Sequence, residues 1–401
     1  MSWAGANQIN IEQYRARAGY RPAAQVTTSN LRQLTSTPAL VCFSHLRWHF
    51  VYQRPQHLMG RFAREHRVFF VEEPVATDAA EPWLDRHTVE EGIQIAVPRI
   101  RGSLTGPEMD RAERVLLDEL LATEGIGRPF LYYFTPLALK FSDHIGASLV
   151  VYDCMDELSA FAGAPPETVE LEQALLARAD VVFTGGVSLF EAKRHLHPNV
   201  HAFPSSVDVA HFARARTLPS DPEDQAPLPR PRLGFYGVID ERLDIELIDM
   251  VAAMRPEWQL VMVGPVVKIS PAVLPRRPNI HWLGPKLYEE LPHYLAGWDV
   301  ALLPFARNRS TRFISPTKTP EYLAAGRPVV STPITDVVRS YGEAGLARIA
   351  ATPEHFVVQC EAALRDAQWP DGWLARVDRV LGQMSWDSTY ARMRELMRCA
   401  A

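Results

Sequence analysis

What most constrains this chain is a rhythm of short, wholly apolar runs separated by amphipathic helical stretches. The runs are ALVCFSH (39–45), HRVFFVEEP (66–74), PFLYYFTP (129–136), SLVVYDCMDE (148–157) and DVVFTGG (180–186). Helical patterns lie between several of them, near 53–65, 108–123 and 167–178. A strand that is apolar at successive rather than alternate positions is buried on both faces, which implies a parallel sheet covered on each side by helices. Residues 213–231, ARARTLPSDPEDQAPLPRP, lose the apolar period and read as an interdomain linker. The rhythm then resumes with RLGFYGVID (232–240), a helix near 244–254, WQLVMVGP (258–265), NIHWLGP (279–285), DVALLPF (299–305) and RPVVSTPI (327–334). The expectation is an α/β protein of two doubly wound, Rossmann-like domains, 38–212 and 232–383. Residues 1–37 read as a tail or arm and 384–401 as a closing helix. In such sheets ligands bind beyond the carboxyl ends of the strands, and two such domains form a cleft.

Composition narrows the function. A formal net charge of -5 argues against a dedicated nucleic-acid binder. The cysteines Cys42, Cys154, Cys360 and Cys399 have no CxxC spacing, so neither a disulfide framework nor a zinc site is indicated. No apolar run approaches the roughly 18 residues of a membrane span, and Met1–Tyr20 lacks an apolar signal core, so a cytoplasmic protein is expected. No GxGxxG follows a strand, no GxxxxGK[ST] is present, and no Asp-x-Asp occurs. No metal and no cofactor is expected.

Three clusters stand at strand ends. In SPTKTPEYLAAGRPVVST (315–332), Lys318 falls near a helix entrance, where the backbone dipole favours anions and a fixed cation gains nothing. It can counter phosphate charge there, and Glu321 can accept from a ribose diol. The alternative is a solvated lysine and a first-turn acid. Pro320 leaves two starts open, with the helix beginning at Thr319 or near Ser315. In YDCMDE, Asp153, Asp156 and Glu157 follow a strand, where an acid is placed for general-base work or for a turn. In SHLRWHFVYQRPQHL (44–58), His45 is a second candidate base, and Arg47 and Arg54 add to the polar load. The basic run RPQHLMGRFAREHR (54–67) is also a candidate for peripheral contact with an anionic membrane, against the alternative of a surface helix packed on its own sheet.

Together these stretches resemble GT-B glycosyltransferases of the bacterial polysaccharide and cell-envelope type. SHLRWHFVYQRPQHLMGRFA, HRVFFVEEP and VVYDCMDELSAF are similar to a subgroup that includes teichuronic-acid-type enzymes, and NIHWLGPKLYEELPHYLAGWDVALLPF with SPTKTPEYLAAGRPVVST is similar to the donor domain of the wider group. The resemblance implies a nucleotide-diphosphate sugar, expected to be UDP-linked, as co-substrate. It also implies a glycan or lipid-linked acceptor and a place in cell-envelope polysaccharide synthesis. It puts Glu321 on the ribose, Lys318 near the diphosphate and Gly237 and Gly264 at the donor turns, with Ser315 and Thr317 beside Lys318. Asp156 would be the base, with Arg47, Arg54 and Asp153 as acceptor-side candidates, Asp153 alternatively structural and holding the loop. The closing helix from Trp386 would return across the cleft to the first domain. Two positions depart from the pattern. Phe313 stands where retaining members carry a glutamate, and Val238 and Asp244 stand near the usual Arg and Lys, leaving Arg242 as a substitute. These departures favour an inverting mechanism. Rival readings are a nucleotide-sugar epimerase or hydrolase of the same fold, and a non-catalytic sugar-nucleotide-binding scaffold.

Overall fold

The structure, a computed structural model, describes residues 37–218, 221–366 and 370–401. The expected N-terminal arm lies outside them apart from Thr37.

The first domain is a nine-stranded sheet. Its strands are β1 (Leu40–Ser44), β2 (Val68–Glu72), β3 (Val75–Thr77), β4 (Trp83–Thr88), β5 (Gln94–Arg101), β6 (Phe130–Tyr133), β7 (Leu149–Cys154), β8 (Val181–Thr184) and β9 (Val200–Ala202). They are ordered β3-β5-β2-β1-β6-β7-β8-β9, with β4 antiparallel on β5 and every other pair parallel. β1 shows why the run is continuous. Val41 and Phe43 enter one core, while Leu40 and Cys42 enter the core on the opposite face. The second domain is all parallel, from β10 (Arg232–Tyr236), β11 (Gln259–Val263), β12 (Ile280–Gly284), β13 (Val300–Leu303), β14 (Val329–Ser331) and β15 (Ala347–Ile349), ordered β12-β11-β10-β13-β14-β15. Its buried residues form one continuous core.

The stretch expected to be a linker behaves otherwise. Phe203 still belongs to the first domain's core and Val207 already to the second's, so the chain crosses near residues 204–206. Of residues 213–231, the part at 221–228 straps onto the second domain. Buried Gln225 accepts from the Trp298 indole N–H at 2.8 Å and donates to the Tyr294 carbonyl at 3.1 Å. Asp221 pairs with Arg232 at 2.6 Å. The proline-rich composition hides a side chain that satisfies a buried indole donor.

The last helix, Trp386–Ala400, starts at Ser385, whose hydroxyl accepts the Ser388 N–H at 3.1 Å. Trp386, Tyr390, Met393 and Met397 form its buried stripe and join the first domain's core, not the second's. The Trp386 ring stacks on His57 at 4.5 Å, and the Tyr390 hydroxyl donates to Glu65 at 3.0 Å. This helix occupies the surface of the helix Arg54–Phe62, where Leu58, Met59 and Phe62 are fully buried. Arg61 pairs with Asp387 and Arg67 with Glu124. The apolar side chains Leu58, Met59 and Phe62, on which the membrane expectation for this run rested, are therefore spent on packing, while Arg64 stays exposed. Among the described residues no helix is long and apolar enough to cross a membrane.

Candidate active site

The two sheets face each other across a cavity of about 320 Å³, lined by both domains. β10 ends at Tyr236, and the chain turns at Gly237 with φ +143°, next to Gly264 with φ +144° after β11. A Cβ on Gly264 would lie 1.8 Å from the Gly237 carbonyl oxygen, and one on Gly237 would lie 2.1 Å from the Lys318 Cε. The two glycines thus let three chain segments close together, and they seat the Lys318 side chain on the turn after β10. The helix behind it runs Lys318–Ala324. Pro320 is its third residue, where a missing N–H costs no intrahelical bond, and Gly326 at φ +71° ends it.

The charges at this turn are packed against one another. Burial pushes the Lys318 ammonium down, Glu321 opposes that, and Arg242 adds to it. The buried Glu321 carboxylate accepts the Tyr236 hydroxyl, and burial raises its pKa. Arg242 donates through Nε and Nη2 to Asp240, which is buried, and its guanidinium lies 5.3 Å over the Phe161 ring of the first domain. Lys268 reaches the same ring, at 5.0 Å, from a backbone φ of +62°. That conformation is unusual for a side-chain-bearing residue, and such strain persists where the surroundings hold it. Across the cavity stand Asp156 and His45. Burial raises the Asp156 carboxyl, with Arg242 and Lys318 opposing. Burial pushes His45 down to about 4, so its imidazole is neutral at pH 7. The arrangement places an acid-base group of one domain opposite a cluster of cations on the other.

Residues 230–366 match the model of the glycosyl transferases group 1 family. The chain is 27% identical over 299 residues, covering 70% of each chain, to a Bacillus subtilis protein named as a teichuronic acid biosynthesis glycosyltransferase, TuaH. Solved structures of the same two-domain form include sucrose-phosphate synthase from Thermosynechococcus elongatus, with a TM-score of 0.71 at 15% identity, covering 90% of this chain and 98% of that one. Another is Anabaena HepE in complex with UDP and glucose, with a TM-score of 0.65 at 11% identity, covering 90% and 99%. The protein is a GT-B glycosyltransferase.

In this glycosyltransferase Asp156, His45, Arg47, Gly237, Arg242, Thr317, Lys318 and Glu321 all line the one cavity. Other expected residues go elsewhere. Ser315 packs against the first domain, where a Cβ on Gly186 would come within 2.9 Å of its own. Gly264 supports the turn from behind. Arg54, a candidate on the acceptor side, and Asp153, a candidate there or a structural acid, are 1% and 0% exposed and paired with each other. Arg54 Nε donates to both Asp153 oxygens at 3.1 and 3.0 Å and Nη1 to the Phe203 carbonyl at 2.7 Å, while the Tyr132 hydroxyl donates to Asp153 at 2.7 Å. The pair holds the end of β7 in place and is closed to a substrate. Arg47 is partly committed too, donating to Glu72 at 3.0 Å and to the Glu73 carbonyl at 2.8 Å.

Lys268, Asp240, Phe161 and Tyr288 also line the cavity and were not singled out from the sequence. A signal existed for Lys268 alone, since it follows the Gly264–Pro265 turn at the end of a strand. Phe313, at the position of the missing glutamate, packs against the first domain's core. A side chain used in that way contributes packing across the cleft in place of chemistry.

Proposed function

We propose that this glycosyltransferase moves a sugar from a nucleotide-diphosphate sugar, UDP-linked, onto a glycan or lipid-linked acceptor in cell-envelope polysaccharide synthesis, without a metal and with inversion. The observation that carries the reading is that Asp156 of the first domain faces Lys318 and Arg242 of the second across one cavity. UDP in the HepE structure and the name of the Bacillus subtilis relative support the donor and the pathway class. In the proposed step the acceptor oxygen attacks the anomeric carbon while Asp156 takes its proton. The bond from that carbon to the diphosphate breaks on the opposite face. Lys318 and Arg242 hold the negative charge that builds on the departing diphosphate, and preorganised cations in a water-poor cleft are effective at this. The enzyme would work at the inner face of the membrane when its acceptor is lipid-linked.

Asp156→Asn keeps the shape of the carboxylate and loses its basicity. Transfer is expected to fall by roughly 10² to 10⁴ with donor affinity close to the parent's, read by product formation and by titration calorimetry. The raised carboxyl of Asp156 sets the sign of the pH response. Its basic form is lost below a pKa higher than usual, so kcat/KM should fall on the acid side at a pH above the ordinary carboxylate range. NMR of the product is expected to give the anomer opposite to the donor's. A retained anomer refutes inversion, and turnover of donor without acceptor would favour an epimerase or hydrolase.

A further inference from the structure

Buried tyrosine hydroxyls in this protein find partners. Tyr132 donates to Asp153, Tyr152 to Glu172, Tyr294 to Asp224 and Tyr236 to Glu321. Tyr288 is different, because its hydroxyl oxygen is buried and has no hydrogen-bond partner among the described residues. It lines the same cavity as Glu321. Its ring has no freedom to swing the hydroxyl away, being stacked on Tyr52 of the first domain at 4.5 Å and on His211 at 4.2 Å. His211 Nε2 lies 3.0 Å from the Tyr288 carbonyl oxygen, which ties the backbone as well.

An orphaned hydroxyl held rigidly in a ligand cavity destabilises the empty site and is relieved when a ligand atom supplies the missing bond. The neighbouring groups limit which ligand that is. An ionised carboxylate only accepts, whereas a phenol both donates and accepts. Lining one cavity, with the Glu321 charge acting on the Tyr288 phenol, they suit two adjacent hydroxyls, one donating to the carboxylate and the other bonding the phenol. We infer that Tyr288 is a second ribose-reading residue, its hydroxyl bonding one member of the 2′,3′-diol while Glu321 takes the other. The assignment deepens the nucleotide-diphosphate sugar reading and rests on it. It also makes the nucleoside a contact between domains, since Tyr52 backs the reading residue from across the cleft.

The test uses the full chain and Tyr288→Phe, which keeps the ring and both stacks. Titration calorimetry compares UDP with 2′-deoxy-UDP and 3′-deoxy-UDP, or the GDP or ADP series if a thermal-shift screen selects that base. The parent is expected to bind one deoxy analogue about 3- to 10-fold more weakly than the ribonucleotide through loss of the Tyr288 bond. Tyr288→Phe should weaken the ribonucleotide by a similar factor and leave that analogue unaffected. Without ligand the variant should melt at or above the parent's temperature. An equal loss for all three ligands, as for a bond to the base or diphosphate, overturns the assignment, and so does no loss for the ribonucleotide. A parent that binds no nucleoside diphosphate refutes the donor reading itself, and the ribose assignment with it.

Discussion

The two domains place the same residue types at the same places, charged side chains just beyond or facing strand ends, and use them in opposite ways. In the first domain Arg54 and Asp153 pair with each other out of reach of solvent, and Lys193 is held between Glu157 and Glu172 at 2.6 Å to each. In the second domain Lys318, Glu321 and Arg242 line a cavity, Arg242 already paired with Asp240 but Lys318 in no salt bridge among the described residues. What separates the two cases is the neighbour. A cation with a carboxylate and a carbonyl aimed at it is already satisfied, whatever its place in the fold. A cation that burial disfavours more than its neighbouring carboxylates restore, as with Lys318 beside Glu321 and Arg242, gains when an anion arrives.

The sharpest way to break this comparison is Arg54→Met. Removing one partner of a buried pair strands the other charge, so about 3–5 kcal/mol of stability should be lost in urea melts, while the folded fraction still binds donor. Parental stability would mean that Asp153 finds other partners. Next comes Lys318→Ala. Turnover should fall about 10²- to 10³-fold, the range for one strong transition-state contact, with the melting temperature unchanged or raised. A large loss of stability would place Lys318 among the structural cations. The smallest effect belongs to Asp387→Asn at the exposed end of the Arg61 pair, where the carboxylate is 66% exposed. It should cost no more than about 1 kcal/mol, and less in high salt.

Much of the fold was legible because it is written in local pattern. The apolar runs gave β1, β2, β6, β7 and β8, and the resumed rhythm gave the second sheet almost whole. β3, β4, β5 and β9 were missed: Trp83 on β4 is exposed, Pro98 interrupts β5 and β9 is only half-buried, so none of these last three carries a clean apolar run. In the site, Lys318, Glu321 and Gly237 were legible because one short stretch and one turn hold them. Arg54 was misread because its partner lies 99 residues away, and no local pattern records that distance. Tyr288 was invisible for a related reason. Its meaning lies in a bond it does not make, which depends on rings contributed by two other segments.

The main chain passes between the domains near 204–206 and again between Leu381 and Trp386, and the Ser206 and Thr389 hydroxyls meet at 2.7 Å beside those passages. Two covalent strands laid together act as a hinge plate, a narrow pivot that resists shear better than rotation. The remaining ties across the cleft are noncovalent, and include the Asp336 carboxylate accepting the Val187 and Ser188 N–H groups at 2.9 and 3.0 Å, the Arg339–Glu191 pair at 2.8 Å, the Ala162 N–H on Glu241, Arg242 and Lys268 over the Phe161 ring, and the Tyr52–Tyr288 stack. Any hinge motion of the halves would have to turn about that pivot. Cutting the chain after Leu381 would leave a single covalent passage between the halves, the one near residues 204–206.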